Sequence, residues 1–181
     1  MNVELRKFNK SLEKKKMKKL YLSAFPPEER PAFMVLMRRL NKPFVDCYSI
    51  YSKNEWAGFT YVVSYNRLSY VFFLAISDNQ RGRGIGSQAI RELKRIYKNQ
   101  TLLLAIEEVD ERYDNYTQRV SRRNFYERNG LNYYGYKIVE GSVTYDALST
   151  DDNFDADDYR RLFVRYAGRL LAGLLKTKMY K

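Results

Sequence analysis

Three alternating glycines, Gly82, Gly84 and Gly86, stand among arginines between an apolar segment and an amphipathic one. Residues 70–76, which precede them, are apolar throughout and predict a buried strand. The apolar residues that follow them recur at the spacing of one helix face, namely Ile85, Ala89, Ile90, Leu93, Ile96 and Tyr97. A strand that leads through glycines into a helix N-terminus presents free backbone N–H groups and the positive end of the helix dipole. The segment therefore predicts a phosphate-binding loop.

The spacing of the loop residues restricts the kind of phosphate ligand. A triphosphate loop of the Gly-x-x-x-x-Gly-Lys-Ser/Thr type is excluded, because no lysine precedes Ser87. A dinucleotide loop requires Gly-x-Gly-x-x-Gly and an acidic residue about twenty positions later. The glycine spacing here is different, although Glu107 and Glu108 do follow the next predicted strand, residues 101–106. The dinucleotide interpretation therefore stays open as a minor alternative.

Written as Arg81-x-x-Gly84-x-Gly86, the loop resembles the acetyl-coenzyme A (acetyl-CoA) loop of the Gcn5-related N-acetyltransferases (GNAT), whose pattern is Gln/Arg-x-x-Gly-x-Gly/Ala. In that family the loop amides bind the pyrophosphate, and backbone groups at the end of the preceding strand run beside the pantetheine arm. The resemblance implies that the coenzyme is bound by Leu74, Ala75, Ile76, Arg81, Gly82, Arg83, Gly84, Ile85, Gly86 and Ser87.

A second segment, Phe125-Tyr126-x-x-x-Gly130-Leu131, is similar to the GNAT pattern Phe/Leu-Tyr-x-x-x-Gly-Phe, and its glycine predicts the left-handed end of a helix. The resemblance implies that Tyr126 lies beside the coenzyme sulfur and protonates the departing thiolate. A core aromatic residue is the alternative interpretation, because the chain has 17 tyrosines. Many members carry an asparagine seven residues before this tyrosine, where this chain has Arg119. Asn124 is the candidate to replace that contact with the pantetheine arm.

The chain contains no histidine, which excludes His-dependent catalytic triads and the common His-containing zinc sites. A catalytic base must then be a carboxylate, a tyrosine, a water or the α-amine, and no metal is expected. Glu107 is the first candidate and Glu108 the second, since both follow directly after the predicted strand at 101–106. Strand alternation would turn one of them toward the coenzyme and the other toward solvent. Exposed carboxylates at a strand end are an equal alternative. Glu28-Glu29, between the first two predicted helices, would suit a cationic amine or a helix N-terminus.

The composition predicts one folded domain in a reducing compartment. The chain has 181 residues, of which 45% are hydrophobic and 15% aromatic. Its longest apolar run is too short to span a membrane, and its N-terminus lacks the apolar core of a signal peptide. The single cysteine, Cys47, can form no internal disulfide, and its apolar surroundings favour a buried strand residue over a catalytic thiol. We therefore expect a cytoplasmic protein with no membrane partner.

The formal charge of +12 is concentrated near the N-terminus. Residues 1–42 contain 12 Lys and Arg against 4 Asp and Glu, whereas residues 43–150 contain 14 against 12. Such a basic segment is typical either of attraction to an anion or of the solvated face of a surface helix. We favour the solvated face, because no nucleic-acid motif accompanies the lysines, and nucleic acid is not an expected partner.

The patterns predict, in chain order, a strand at 2–8, helices at 10–24 and 31–40, strands at 44–51, 56–65 and 68–76, a helix from 85, a strand at 101–106, a helix at 117–129, strands at 133–139 and 142–148, and a helix over 155–175. Over residues 1–148 this order is similar to the GNAT fold, an α+β fold with a mostly antiparallel central sheet flanked by helices. Residues 149–181 are expected to form a helical extension on the same domain, through an apolar stripe of Tyr159, Leu162, Phe163, Tyr166, Leu170, Gly173 and Leu174.

The resemblance implies an acetyl-CoA-dependent N-acetyltransferase in which the primary amine of a small molecule or a protein attacks the thioester directly. The alternative is a non-catalytic module of the same fold that binds a coenzyme or nucleotide, or contacts nucleic acid, for regulation. Thioester turnover would separate the two. The oligomeric state is left open between monomer and homodimer.

Overall fold

The computed structural model describes residues 2–27, 30–141, 143–168 and 177–181. Within them, the elements in chain order are β1 (Val3–Lys7), α1 (Lys10–Ala24), α2 (Phe33–Arg39), β2 (Val45–Ser52), β3 (Glu55–Tyr65), β4 (Leu68–Ile76), α3 (Ile85–Ile96), β5 (Thr101–Glu107), α4 (Tyr116–Arg128), β6 (Asn132–Glu140), β7 (Val143–Ser149), α5 (Ala156–Ala167) and β8 (Lys178–Tyr180).

The strands form one mixed sheet in the order β1-β2-β3-β4-β5-β7-β6-β8. Strands β4 and β5 run parallel, with Leu68 opposite Thr101 and Tyr70 opposite Leu103. The pairs β1–β2, β5–β7, β6–β7 and β6–β8 are antiparallel. A parallel pair needs a crossover connection, which α3 supplies between β4 and β5. The expected α+β fold, with a mostly antiparallel sheet and flanking helices, is confirmed.

Local sequence signals account for most element boundaries. Helix α1 begins after Asn9, whose side-chain oxygen accepts hydrogen bonds from the backbone N–H groups of Ser11 and Leu12 at 3.1 and 3.3 Å. In the turn between β2 and β3, Lys53 and Asn54 have φ angles of 51° and 63°. Two successive positive φ angles are what a tight two-residue hairpin turn requires, so these two residues form the turn between β2 and β3.

The chain divides into two compact units, of which the first comprises the residues up to Val62 together with Phe72–Ile96. Its core receives the buried face of α1, where Met17 and Tyr21 are fully buried. The Tyr21 ring packs at 5.7 Å from the ring of Phe33 and at 5.1 Å, edge to face, from that of Phe73. Both helices of the N-terminal segment are thereby held by aromatic contacts, which add to the burial of apolar area.

The second unit comprises Val63–Val71 and Tyr97–Lys181, and in it α5 packs through a buried polar chain as well as an apolar stripe. Tyr159 is fully buried, its ring lies 5.3 Å from that of Tyr70, and its hydroxyl donates to Glu140 Oε1 at 2.6 Å. The expected stripe is confirmed at Tyr159, Leu162, Phe163 and Tyr166. A single hydrogen-bonded tyrosine thus connects α5 to the C-terminal end of β6.

The C-terminal segment differs from the expectation of one helix over 155–175. Helix α5 ends at Ala167, because Gly168 adopts a φ of 90° and donates its N–H to Val164 O at 2.8 Å. Leu170, Gly173 and Leu174 of the expected stripe lie outside the described residues, as does Ser142 at the start of the expected strand over 142–148. The sequence also did not predict β8, whose three residues pair with Lys137–Val139 of β6. A strand this short carries too little pattern to be recognised without its partner.

The half-buried carboxylate of Glu140 makes the stability of the second unit dependent on pH. Burial raises the pKa of Glu140, and the hydrogen bond from Tyr159 lowers it only in part. A raised pKa in the folded state contributes stability that is fully present below the unfolded-state pKa of about 4.3 and is lost as the pH rises through the folded value. We therefore expect Glu140→Gln to gain stability relative to the wild type between pH 4 and pH 7, in urea unfolding at each pH.

The control variant for this prediction is Tyr159→Phe. It removes the hydroxyl that solvates the carboxylate, so we expect a loss of about 2 kcal/mol in the free energy of unfolding at pH 7 and a smaller loss at pH 4. If both variants showed the same difference from the wild type at the two pH values, Glu140 would not be the titrating group.

Candidate active site

The first unit contains the glycine loop, and two of its glycines have positive φ angles. Gly82 and Gly84 adopt φ angles of 74° and 72°, in the left-handed region that favours glycine. A Cβ at either position would meet no atom within 4 Å, so the glycines are required by backbone conformation and the space beside them is open.

Helix α3 begins directly after this turn. Gln88 donates its N–H to Gly84 O at 3.1 Å, which is the first bond of the helix. Helix geometry therefore leaves the N–H groups of Ile85, Gly86 and Ser87 without an acceptor inside α3. These donors and the positive end of the helix dipole make the start of α3 suited to binding an anion.

Apolar packing holds the loop in place. Ile85 is 1% exposed and packs in one cluster with Val3, Ile50 and Ala57, which belong to β1, β2 and β3. At the end of β4, Ser77 donates from its N–H and its hydroxyl to the carbonyl of Ala57 at 2.8 and 2.7 Å. Both sides of the loop are thus attached to the sheet of the first unit.

The end of β4 lies unusually close to its neighbour β3. A Cβ on Gly58 would lie 2.0 Å from the carbonyl oxygen of Ala75, so no side chain fits there. Ala75 is buried, whereas Leu74 and Ile76 are half-buried and pack against the cluster around Ile85. The strand residues and the loop residues of the expected coenzyme site are therefore parts of one packed group in the first unit.

Two arginines add positive charge to the loop. Arg81 donates from Nε to Ile76 O at 3.2 Å and lies 3.0 Å from Asp78 Oδ1, with 58% of its side chain exposed. Arg83 donates from Nη1 to the side-chain oxygen of Gln80 at 3.3 Å. Both arginines thus contact residues 76–80, which directly precede the loop, and their guanidinium charges stay close to the loop.

The second unit contains both candidate bases, and each is held by cations. Glu107 accepts from Arg122 and from Asn115 Nδ2, the latter at 3.2 Å, and Arg119 Nη2 lies 3.6 Å away. Arg119 also donates to the backbone carbonyl of Glu108 at 2.7 Å. The asparagine position of many GNAT members is therefore occupied here by an arginine that belongs to the ion-pair network around Glu107.

The side chain of Glu108 points to a different set of partners. It accepts from Lys137 Nζ at 2.5 Å and from the hydroxyl of Tyr113 at 3.3 Å. Lys137 also lies 3.2 Å from Asp146 Oδ1. Burial lowers the pKa of Lys137, but the carboxylates of Glu108 and Asp146 outweigh it and raise that pKa above its ordinary value. The lysine therefore stays charged between two carboxylates.

Asp146 is the fully buried centre of this network, and sequence reasoning missed it. Its carboxylate accepts from Arg123 and, at 2.8 Å, from the backbone N–H of Val109, and it lies directly across the sheet from Lys137. The position of a charged residue in the middle of a predicted strand could have indicated it. The i, i+3, i+4 spacing of Arg119, Arg122 and Arg123 was another signal, because it places all three on one helix face.

Tyr126 lies half-buried on the last turn of α4, which ends as its sequence predicts. Leu131 donates its N–H to Tyr126 O at 3.1 Å and Gly130, with a φ of 75°, donates to Glu127 O at 2.9 Å. These two bonds form a Schellman cap. Burial raises the pKa of the Tyr126 hydroxyl, and the charge of Arg122 lowers it in part. Asn124 is exposed and, two residues earlier, lies about 200° around the helix from Tyr126.

The remaining expectations concern residues apart from these groups. Cys47 is buried in β2, and burial raises the pKa of its thiol far above the ordinary value, as expected for a strand residue. Glu28 and Glu29 lie outside the described residues. No group of three or more His, Cys, Asp or Glu side chains in the described part of the chain could hold a metal ion.

The profile of the acetyltransferase (GNAT) family matches residues 14–131, which include the glycine loop and the Tyr126 segment. The chain belongs to the GNAT family. Its resemblance to that family, first indicated by the two motifs, is thereby confirmed. No curated protein matches the chain.

Solved structures of GNAT proteins share the fold. A GNAT-family acetyltransferase from Bacteroides thetaiotaomicron has 20% identity and a TM-score of 0.69, with 95% of this chain and 99% of that chain covered. The aminoglycoside 6'-N-acetyltransferase from Enterococcus faecium has 15% identity and a TM-score of 0.61, with 86% and 100% covered. A Bacillus subtilis acetyltransferase in complex with CoA has 14% identity and a TM-score of 0.58, with 83% and 97% covered. At these identities the likeness establishes the fold alone.

Proposed function

We propose that this GNAT protein transfers the acetyl group of acetyl-CoA to a primary amine of a small molecule or a protein. The pair of left-handed glycines, Gly82 and Gly84, immediately before the N-terminus of α3 carries the proposal. Several neighbours of similar fold were solved with coenzyme A, which supports the same ligand here. The loop amides and the charges of Arg81 and Arg83 would hold the pyrophosphate, and the backbone of Leu74–Ile76 would run beside the pantetheine arm.

Acetyl transfer requires one bond to form and one to break, with two proton movements. The neutral acceptor nitrogen attacks the thioester carbonyl carbon, a carbon–nitrogen bond forms, and the carbon–sulfur bond breaks. A backbone N–H at the end of β4 would stabilise the negative charge that develops on the carbonyl oxygen. The proton lost by the nitrogen goes to a base, and the departing thiolate takes a proton from a donor.

Tyr126 is the proposed donor, and Glu107 before Glu108 is the proposed base. A raised pKa keeps the Tyr126 phenol protonated near neutral pH, which is the form that a proton donor needs. Each carboxylate is paired with a cation. The base would therefore act through a lone pair that the ion pair leaves open, or through a water. The expected contact of Asn124 with the pantetheine arm stays a prediction.

Turnover on a panel of amines tests the function as a whole. The panel contains aminoglycosides, the substrates named for one structural neighbour, together with polyamines and peptides with free N-termini. Amine-dependent release of free thiol from acetyl-CoA supports the transferase. Coenzyme binding without amine-dependent release for any acceptor would favour the non-catalytic module, and absence of coenzyme binding would contradict the transferase.

Gly84→Asp is expected to abolish acetyl-CoA binding in calorimetry, with a loss of at least about 100-fold in affinity, because a carboxylate would stand where the pyrophosphate binds. Gly84→Ala is the matched control, since it introduces the same left-handed strain without the charge. Gly86→Asp should also lose binding, although an acidic residue in the first turn of α3 favours the helix itself. Equal affinity in wild type and both aspartate variants would contradict the proposed site.

Tyr126→Phe is expected to lower kcat by roughly 10²-fold while coenzyme affinity stays nearly unchanged, because only the transferable proton is removed. Tyr133→Phe, a half-buried tyrosine on β6, serves as the control for loss of a phenol from the second unit. An unchanged kcat of Tyr126→Phe on a verified acceptor would contradict the role of proton donor and favour the alternative that Tyr126 is a core aromatic residue.

Single substitutions distinguish the two candidate bases. If Glu107 is the base, Glu107→Gln lowers the rate by roughly 10²-fold and Glu108→Gln leaves it nearly unchanged. If Glu108 is the base, the two variants give the opposite results. A rate that neither variant lowers would place the base in a water relay or in the amine itself.

A further inference from the structure

The exposed face of α1 carries an uncompensated positive charge. Of its 15 residues, six are lysines, Lys10, Lys14, Lys15, Lys16, Lys18 and Lys19, and one is acidic, Glu13. Of the ion pairs formed between described residues, none involves these lysines. The basic segment noted in the sequence is thus a surface without internal counter-charges.

The single carboxylate of the helix is not available to the lysines. Glu13 is buried, and its two oxygens accept from the hydroxyl of Tyr51 and from the backbone N–H of Asn9, both at 2.6 Å. Met17, Leu20 and Tyr21 are buried on the same side. This buried side fixes the rotation of α1, so that Lys14 is half-buried and the other five lysines are exposed.

Two leucines stand among the lysines on the outward side. Leu12 is 75% exposed and Leu22 is 46% exposed. With about 100° per residue, Leu12, Lys15, Lys19 and Leu22 fall within one sector of about 80°, and the leucines lie about 15 Å apart along the axis. The solvated face of a surface helix normally carries polar residues. The exposed leucines near both ends of this sector therefore distinguish it from such a face.

We propose that the exposed face of α1 binds the surface of an anionic lipid bilayer. Clustered lysines on one helix face are attracted to acidic lipid headgroups, and exposed aliphatic side chains insert at the boundary of the acyl chains. Proteins that bind single-stranded nucleic acid stack its bases on aromatic rings and arginines, and the outward side of α1 has neither. The core of a protein–protein interface is depleted in lysine, which disfavours an acidic protein partner.

This binding mode needs no transmembrane segment. No helix among the described residues is long and apolar enough to cross a membrane. The expectation of no membrane partner was drawn from the length of the apolar runs, which bears only on spanning segments. The same unit also exposes Met34 and Val35 on α2, at 54% and 40%, so aliphatic exposure in this unit extends beyond α1.

Co-sedimentation of the full chain with vesicles tests the proposal. We expect binding to phosphatidylcholine vesicles that contain about 30% phosphatidylserine, little binding to phosphatidylcholine alone, and a decrease as ionic strength rises. Lys15→Glu with Lys19→Glu should lower the partition coefficient at least about tenfold. Arg91→Glu with Lys98→Glu, two exposed cations elsewhere, changes the net charge equally and should retain most of the binding.

A second pair of variants separates insertion from general attraction to polyanions. Leu12→Gln with Leu22→Gln leaves the charge unchanged and should lower the partition coefficient about threefold or more. Because all these residues are exposed, thermal unfolding of every variant should match the wild type. The proposal would be overturned by equal losses in the control pair, by unchanged binding in the leucine pair, or by tighter binding to a single-stranded RNA or an acidic polypeptide than to the vesicles.

Discussion

The backbone turn at Gly82–Gly84 depends on the burial of the residue that follows it. Ile85 packs among Val3, Ile50 and Ala57, and this contact sets the residue at which α3 begins. The free N–H groups of a helix are those of its first turn, so an apolar contact places the donors of the proposed coenzyme site. A backbone site of this kind has little side-chain entropy to lose, because its donors are already ordered before the anion arrives. The arginines then add charge at its margin.

A different constraint governs the second unit, where one buried carboxylate requires compensation. An ionised group without partners would be costly to bury, and Asp146 is fully buried. Its neighbours supply a backbone N–H, a guanidinium and an ammonium group. Lys137 continues the network to Glu108, and the arginines of α4 extend it to Glu107. This demand explains why α4 has a face of arginines and no buried apolar residue of its own.

Membership of the GNAT family accounts for the fold but leaves the acceptor open. Folds host many functions, and the acceptor is selected by side chains that vary on a common frame. This chain shows its own features on that frame, including the arginine at position 119, the short strand β8 and the lysine face of α1. Such features are where its particular chemistry and partners would be decided.

The sequence by itself determined what consecutive residues control. The left-handed glycines and the hairpin turn at Lys53–Asn54 follow from local backbone preferences. The Gly130 cap and the bounds of α1 and β4 were predicted from such preferences, and the structure confirms them. Only the tertiary structure decided which charges meet. Lys137 and Glu108 are 29 residues apart, and Arg123 and Asp146 are 23 apart. No local preference encodes such pairs, because burial of a charge selects whichever partner the sheet register brings within reach.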